Sequence, residues 1–248
     1  MEDYILASGL ELQKGKIKLP HTIKRVKIDV GLSGNAPQAE IWTEHDKDLL
    51  VVGFEPLTQN RNMIEQFSSP WPIKLNPDKL GKTVFIIPVA LSSKKSDFQM
   101  KMHITDGDAG SSSLLVPKGL KHSFFEYVPV YTLENFLCYF PFDKIKNIEH
   151  LKIDAQGMDL EILIGAGTYI SNFNYITAEL DQLYEGTKNS HFLLRFFLLR
   201  HGFIKIGFFT TIILKKVFKH HIFVDDPTFF NLRLLFKKSG PMYIYQRG

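Results

Sequence analysis

Four acidic residues stand where short apolar runs of the sequence end. They are Asp29, Glu55, Asp154 and Glu179. In an open α/β sheet, ligands bind in the crevice outside the carboxyl ends of the strands, which is where such residues would meet. One acid at a strand end is ordinary, because strands must end in solvent. Four together favour a binding or catalytic site at that edge.

A glycine turn follows the first of these runs. The predicted strand over residues 22–30 leads into Gly31-Leu32-Ser33-Gly34, and the next strand, over residues 49–54, ends at Glu55-Pro56. Glycine lets the backbone approach a ligand closely, and a carboxylate can accept hydrogen bonds from both ribose hydroxyls. The order of strand, glycine turn, helix, strand and acid therefore predicts a site for an adenosine.

The form of the turn favours one adenosine cofactor over others. A dinucleotide fingerprint is Gly-x-Gly-x-x-Gly, whereas this turn lacks the middle glycine, and no Gly-Lys-Ser or Gly-Lys-Thr marks a phosphate-cradling loop. S-adenosylmethionine has no phosphate. It needs backbone donors and an acid at its amino-acid end, and a carboxylate at its ribose. The expected cofactor contacts are Asp29, Gly31, Leu32, Ser33, Gly34, Asn35, Glu55, Pro56, Ala90, Leu91, Ser92 and Asp154.

Strand-like and helix-like segments alternate along the chain, which indicates an α/β fold with a mostly parallel sheet. The predicted strands cover residues 22–30, 49–54, 83–91, 97–104, 148–154, 175–180, 202–209, 222–224 and 231–236. The predicted helices run from the N-cap Asn35 to about residue 45, over 57–66 and 132–140, from Gly157 to about residue 165, and from the N-cap Ser190 to residue 200.

Composition restricts the class of protein. The chain has 248 residues, 44% of them hydrophobic, so we expect a single domain over residues 1–248, with residues 1–20 as a candidate arm or cap. The single cysteine, Cys138, and the lack of a signal peptide favour a cytoplasmic location. A net charge of +4, with no alternation of basic and aromatic residues, argues against a nucleic-acid partner. The most apolar stretch is interrupted by charges, so we predict no membrane span.

Several segments resemble, in order, the FkbM family of S-adenosylmethionine-dependent methyltransferases. Residues 152–157, Lys-Ile-Asp-Ala-Gln-Gly, are the most specific. The matching segments are residues 28–35, 51–56, 88–92, 128–137, 151–166 and 176–181.

Two departures from the family pattern stand out. The family's usual loop is closer to Asp-x-Gly-Ala-Asn-x-Gly, and Asp159 stands where a glutamate is usual. The loop form found here is similar to that of glycan-methylating members from large DNA viruses, which would place the protein in the host cytoplasm.

The resemblance implies a Rossmann-like class I methyltransferase fold, a seven-stranded, mostly parallel sheet with an antiparallel last strand. It also implies methyl transfer to a hydroxyl of a sugar or glycan, and a deoxyhexose such as rhamnose or fucose is our guess. Two other functions stay open. One is a dinucleotide-dependent sugar oxidoreductase, and the other is a non-catalytic glycan-binding module on the same fold.

Methyl transfer to a sugar hydroxyl calls for a general base or a metal, because the hydroxyl is a poor nucleophile at neutral pH. Asp154 is the first candidate base, and capping of the following helix is its structural alternative. His103, on a strand that leads into an acidic loop, and Glu179 are further catalytic candidates.

Other polar residues are candidates for acceptor or metal binding. Gln156, Asp181 and Ser111 are expected to contact the acceptor. By analogy with another group of O-methyltransferases, Asp154, Glu179 and Asp181 are a candidate site for a divalent cation, since hard cations bind carboxylate oxygens.

Overall fold

The structure, a computed structural model, describes residues 1–97, 99–179, 183–188, 191–205 and 227–236. Its strands are β1 (Leu12–Gln13), β2 (Lys16–Ile17), β3 (Arg25–Val30), β4 (Leu49–Phe54), β5 (Val84–Ile87), β6 (Ala90–Leu91), β7 (Met100–Ile104), β8 (Phe124–Val128), β9 (Val130–Tyr131), β10 (Ile148–Ile153), β11 (Phe173–Ala178), β12 (Phe203–Lys205) and β13 (Thr228–Asn231). Its α-helices are α1 (Glu2–Ala7), α2 (Pro37–Thr43), α3 (Thr58–Glu65), α4 (Leu133–Leu137), α5 (Asp159–Ile164), α6 (His191–Arg200) and α7 (Arg233–Phe236).

Seven of these strands form a central mixed sheet in the order β12-β13-β11-β10-β3-β4-β5. The strands from β5 to β11 in this order pair in parallel. β13 lies between β11 and β12 and is antiparallel to both. The predicted α/β content and seven-stranded mixed sheet are therefore confirmed. The parallel strands bring the residues that follow β3, β4, β5, β10 and β11 to one edge.

Both faces of the sheet are covered, as β4 shows. All six residues of β4 are buried. Leu50, Val52 and Phe54 join a core that includes helices α4 and α5, whereas Leu49 and Val51 join a second core with α2 and α3. Successive strand residues point to opposite faces, so a strand covered on both sides needs a continuous apolar run.

The first twenty residues pack on the core that contains Leu50, Val52 and Phe54. Ile5, Leu10 and Ile17 are nearly inaccessible to solvent and pack in the cluster that holds the strand residues of the sheet. Among the described residues, no helix is both long and apolar enough to cross a bilayer.

Three predictions about local structure are wrong. Asn35 does not cap α2. Ala36 occupies that position with φ of 44°, and Asn35 donates instead to the Ile73 carbonyl at 2.9 Å. The predicted strand over residues 83–91 divides at Pro88 into β5 and β6, because proline offers no N–H to the ladder. The predicted strand over 231–236 is the end of β13 followed by α7.

Other predicted features lie outside the described residues. These are the strand at 222–224, the end of the strand at 202–209, the last residue of the strand at 175–180 and the helix cap at Ser190.

Gly31 joins the ends of two neighbouring strands. Its φ is +83°, and a Cβ atom there would lie 1.9 Å from the carbonyl oxygen of Asp154. The chain can turn out of β3 beside β10 only because this residue has no side chain.

We expect Gly31→Ala to lower the free energy of unfolding by about 2–5 kcal/mol. This range combines the left-handed backbone penalty of ~1–2 kcal/mol with an overpacking cost of ~1–3 kcal/mol. Chemical denaturation measures it. Gly81→Ala is the control, because Gly81 has φ of +69° but nothing within 4 Å of a Cβ, so it should show the backbone penalty alone. Equal losses in the two variants would contradict the close approach.

Candidate functional site

A cavity opens at the carboxyl edge of β3, β4 and β10. It encloses about 590 Å³ of empty space, including its solvent-facing mouth, and ligand pockets typically measure ~300–1,000 Å³. The structure brings eight of the predicted site residues to its walls. They are Gly31, Ser33, Glu55, Pro56, Ala90, Leu91, Asp154 and Gln156.

The glycine turn forms one wall of the cavity. Ser33 adopts φ of 58°, a left-handed conformation that is rare for a residue with a side chain. Its backbone N–H donates to the Glu55 carboxylate, so the turn and the end of β4 are tied together. Strained backbone of this kind clusters at ligand sites, where the surroundings hold it in place.

Glu55 is buried at the end of β4. Its side chain accepts a hydrogen bond from the Leu57 N–H at 3.0 Å and another from the side chain of Asn60. Burial raises the pKa of Glu55 to about 7, against these hydrogen bonds and the positive charge of Arg61, which lower it. A carboxylate set in a cavity wall with its pKa raised by desolvation is typical of a functional site.

Asn60 lies beside Glu55 and is only 2% exposed. Its amide donates to Glu55, while its Oδ1 has no hydrogen-bond partner. A buried acceptor without a donor is costly, so this atom is suited to a hydroxyl or amine from a ligand. Asn60 and Glu55 together offer the acceptors that a ribose needs. The wall therefore fits a nucleoside.

Another part of the cavity wall is apolar. Val89, Ala90 and Leu91 line it together with Met102 of β7 and Leu114, and the last two pack against the cluster that contains Ala90. This slot suits a flat, weakly polar ring such as adenine. Ala90 and Leu91 line the cavity, and their predicted contact with the adenine stays a prediction.

Asp154 lies at the centre of a polar network beyond β10. Its carboxylate accepts from Lys152 Nζ at 3.2 Å and from Gln156 Nε2 at 2.7 Å. Burial acts to raise the pKa of Asp154, but the Lys152 ammonium, a proton shared with the Glu179 carboxyl group and a hydrogen bond from Gln156 outweigh it and hold that pKa below its usual value. The group is therefore a carboxylate at neutral pH.

Gln156 fixes this network. It has φ of 51°, and its Nε2 also donates to Glu179 at 3.1 Å. The hydroxyl of the buried Tyr184 donates to its Oε1 at 2.6 Å. Ser113 Oγ donates to its carbonyl at 2.7 Å, so the β7–β8 connection is held against the cavity at this point.

Asp29 does not line the cavity, although it was predicted to contact the cofactor. It is 1% exposed and lies 3.5 Å from Lys152 Nζ. Burial raises the pKa of Asp29 to about 6, with a further rise from Asp154 and an opposing effect of Lys152. Lys152 thus links the acids of two adjacent strands, and Asp29 acts on the cavity through that ammonium.

Other predicted cofactor contacts have structural roles. Leu32 packs in the core against Gly53, where a Cβ would lie 2.5 Å from it. Gly34 faces Met63. The Asn35 Oδ1 accepts from Ser33 Oγ at 3.0 Å, and the Ser92 N–H donates to the Tyr131 carbonyl at 2.9 Å. These residues support the turn and the wall but do not line the cavity.

The remaining candidates surround the cavity without lining it. Glu179 reaches it through Gln156, and the Ser111 carbonyl accepts from Tyr184. The ring of His103 packs at 5.3 Å from the ring of His122. Its pKa is lowered by burial and by the neighbouring charges of Lys101 and His122. His103 therefore does not line the cavity.

A cation site stays a prediction. Asp181 lies outside the described residues, and no group of three metal-binding side chains occurs among those that are described. The Gln156 amide bridges Asp154 and Glu179, whose carboxyl groups also share a hydrogen bond.

Sequence reasoning missed several residues of the site. Asn60 follows Glu55 by five positions, so the first turn of α3 brings it back towards the carboxylate, a spacing that could have indicated it. Lys152 directly opposes Asp29 in the parallel pairing. Tyr184, Met102 and Leu114 come from loops and a hairpin whose position no local pattern predicts.

The sheet and its edge cavity define an α/β protein with a candidate ligand pocket at the carboxyl edge of the parallel strands. The model of the FkbM methyltransferase domain matches residues 34–205. The chain therefore belongs to the FkbM methyltransferase domain family, as its sequence segments predicted.

Other comparisons add little. No curated protein matches the chain significantly. One solved structure, a 30S ribosomal A1408 methyltransferase from an uncultured bacterium, is similar over 89% of this chain and 96% of that chain, with 12% identity and a TM-score of 0.29. A similarity this weak does not define the fold, substrate or partner of this chain.

If Glu55 binds the ribose of the methyl donor, Glu55→Ala should weaken binding of S-adenosylhomocysteine. We expect a loss of about 1.5–3 kcal/mol, or ~10–150-fold in Kd, the range for a hydrogen bond to a charged group. Isothermal titration measures it. Glu65→Ala, at the exposed end of the following helix α3, is the matched control and should leave Kd unchanged. An unaltered Kd in the Glu55 variant would remove this residue from the site.

The affinity for the same ligand should also depend on pH. Ribose hydroxyls donate to the ionised carboxylate, and the pKa of Glu55 is about 7 in the free protein. Binding should therefore be ~10-fold weaker at pH 6 than at pH 8. The free energy of unfolding of the ligand-free protein should change with pH in the opposite direction. A carboxyl whose pKa is raised above its unfolded value stabilises the fold at low pH and loses that effect as pH rises through 7.

Glu55→Gln should flatten this pH profile. A wild-type profile that is already flat between pH 6 and 8 would contradict a titrating Glu55 in the site.

Proposed function

We propose that this protein is an S-adenosylmethionine-dependent O-methyltransferase that acts on a hydroxyl of a sugar or glycan. The observation that carries the proposal is the buried Glu55 carboxylate at the end of β4, held against the glycine turn and set beside the unpaired oxygen of Asn60. The strand order, with the antiparallel β13 next to β11, supports a class I methyltransferase fold.

The donor would lie across the carboxyl edge of the sheet. Glu55 and Asn60 would accept hydrogen bonds from the ribose hydroxyls, and the wall at residues 89–91 would contact the adenine. The turn at Gly31 and Ser33 would bind the amino-acid end. Bound there, the donor supplies a methyl group on a positively charged sulfur.

The charge of the site suits a sulfonium. Asp29 and Asp154 surround a single ammonium, that of Lys152, at 3.5 and 3.2 Å. Two carboxylates around one cation favour a further positive charge nearby. Family membership supports the methyl transfer, while the sugar acceptor rests on the resemblance and on the acid-lined groove described below.

Asp154 would orient the acceptor and take its proton. The C–O bond would form as the C–S bond breaks, and the hydroxyl proton would pass to the Asp154 carboxylate, so the products are a methyl ether and S-adenosylhomocysteine. Holding the oxygen in line with the methyl carbon is the larger contribution. Gln156 and Tyr184 would keep Asp154 in position.

The two other functions lack such support. An oxidoreductase would require a pyrophosphate to approach the turn closely. Ser33 occupies the position of the second glycine of a dinucleotide fingerprint, and its side chain would limit that approach. A non-catalytic module would not need the network around Asp154. Binding of a reduced nicotinamide cofactor, seen by fluorescence, would favour the oxidoreductase.

Asp154→Asn should reduce turnover by ~10²–10⁴-fold while the Kd of S-adenosylhomocysteine changes by less than about threefold. Transfer of labelled methyl to a panel of sugars, with and without a chelator, measures turnover and tests the proposed cation as well. Asp143→Asn, an exposed acid far from the cavity, is the control. A large loss of donor affinity with normal turnover at saturation would make Asp154 a cofactor ligand only. A protein that fails to bind the donor would contradict the proposed function itself.

A further inference from the structure

A second groove runs alongside the donor cavity. It contains about 1150 Å³ of empty space open to solvent. The two spaces share a wall formed by Ser33, Asn60, Ala109 and Gly110. A molecule in the groove would therefore lie next to a donor bound in the cavity.

Two large aromatic side chains in the groove walls face solvent. Trp71 is 57% exposed and Phe124 is 69% exposed. Aromatic rings of this size are usually buried for most of their area, and exposed apolar surface in a concave site marks a binding region. Flat aromatic faces suit the C–H faces of a pyranose ring.

Polar groups lie between the aromatic walls and the cavity. Asp106 accepts from the Ser123 N–H at 2.8 Å and from Ser123 Oγ at 2.7 Å. These hydrogen bonds, the backbone one first, lower the pKa of Asp106, so it is ionised. Asp108 accepts from the Gly110 N–H at 3.1 Å. A carboxylate has more lone pairs than these bonds use, so each can still accept from a ligand hydroxyl.

The charge of the groove disfavours one class of acceptor. The described residues that line it include Asp106 and Asp108 but no lysine, arginine or histidine. Lys121, which is not among the lining residues, lies 3.7 Å from Asp106 and offsets part of its charge. A phosphate or diphosphate would still face the Asp108 carboxylate, whereas a neutral polyol would find acceptors.

We propose that this groove is the acceptor site and that it binds an uncharged pyranoside, such as a terminal sugar of a glycan, with its ring against Trp71 and Phe124. The proposal rests on the proposed function, which it deepens. It distinguishes a finished glycan from a nucleotide-linked sugar, because the diphosphate of the latter would be repelled.

The test uses the protein saturated with S-adenosylhomocysteine. Saturation-transfer NMR with methyl α-L-rhamnopyranoside and methyl α-L-fucopyranoside should show contact at the ring C–H protons of at least one of the two. Trp71→Ala and Phe124→Ala should each weaken that sugar's binding by about threefold to tenfold, the range of a single aromatic contact. Phe125→Ala is the matched control. Phe125 is also exposed, but it packs against Tyr127 and Lys101 and does not line the groove.

The outcomes separate the two proposals. Unchanged donor affinity in the aromatic variants, with weakened sugar binding, supports the acceptor groove and shows that the variants are folded. The groove proposal is overturned if neither pyranoside binds or if both aromatic variants bind the sugar normally. It is also overturned if the open-chain polyol glucitol binds as well as the pyranoside, or if a nucleoside-diphosphate-linked rhamnose or a short RNA binds more tightly. If the wild-type protein does not bind S-adenosylhomocysteine, the proposed function itself is refuted.

Discussion

The Glu55 carboxylate holds together the two elements that shape the cavity. Its hydrogen bonds come from the Ser33 turn after β3, from Leu57 and from Asn60 at the start of α3. A charge this deeply buried is stable only when it is well hydrogen-bonded or when a ligand adds partners. Its raised pKa shows that the protein alone does not fully compensate the burial. The proposed binding of a hydroxylated ligand depends on this remaining acceptor capacity.

A second constraint comes from the close approach of β3 and β10. Gly31 leaves no space for a side chain against the Asp154 backbone, and Lys152 pairs directly with Asp29 in the parallel ladder. The glycine turn, the ammonium and the Asp154 carboxylate are therefore fixed relative to one another by main-chain packing. Residues far apart in the chain act as one unit because parallel strands end at the same edge.

Much of this arrangement could be predicted from the sequence because it depends on local patterns. The continuous apolar run of β4 ends at Glu55, and the glycine turn follows β3, so the positions of Gly31, Ser33, Glu55 and Asp154 could be deduced. It was harder to predict which of the strand-end acids reach the cavity. Nothing in the sequence shows that Asp29 is covered by Lys152, because that depends on the register between two strands about 120 residues apart.

The roles that depend on loops were not predictable. Asn35 has the residue type and position of a helix cap, yet it binds a loop carbonyl 38 residues away. Met102 of β7 and Leu114 of the β7–β8 connection line the cavity, and Tyr184 of a later loop contacts Gln156. The spacing of residues gives no information about such tertiary contacts. The groove with Trp71 and Phe124 likewise forms only when these loops meet.

The central claim is that Glu55 and the Gly31 turn hold the two ends of one sulfonium nucleoside. A crystal structure with S-adenosylhomocysteine tests it most directly. The account predicts both ribose hydroxyls within hydrogen-bonding distance of the Glu55 carboxylate and the amino-acid end against Gly31 and Ser33. A nucleoside bound elsewhere, or a Glu55 side chain turned away from the ribose, would contradict it.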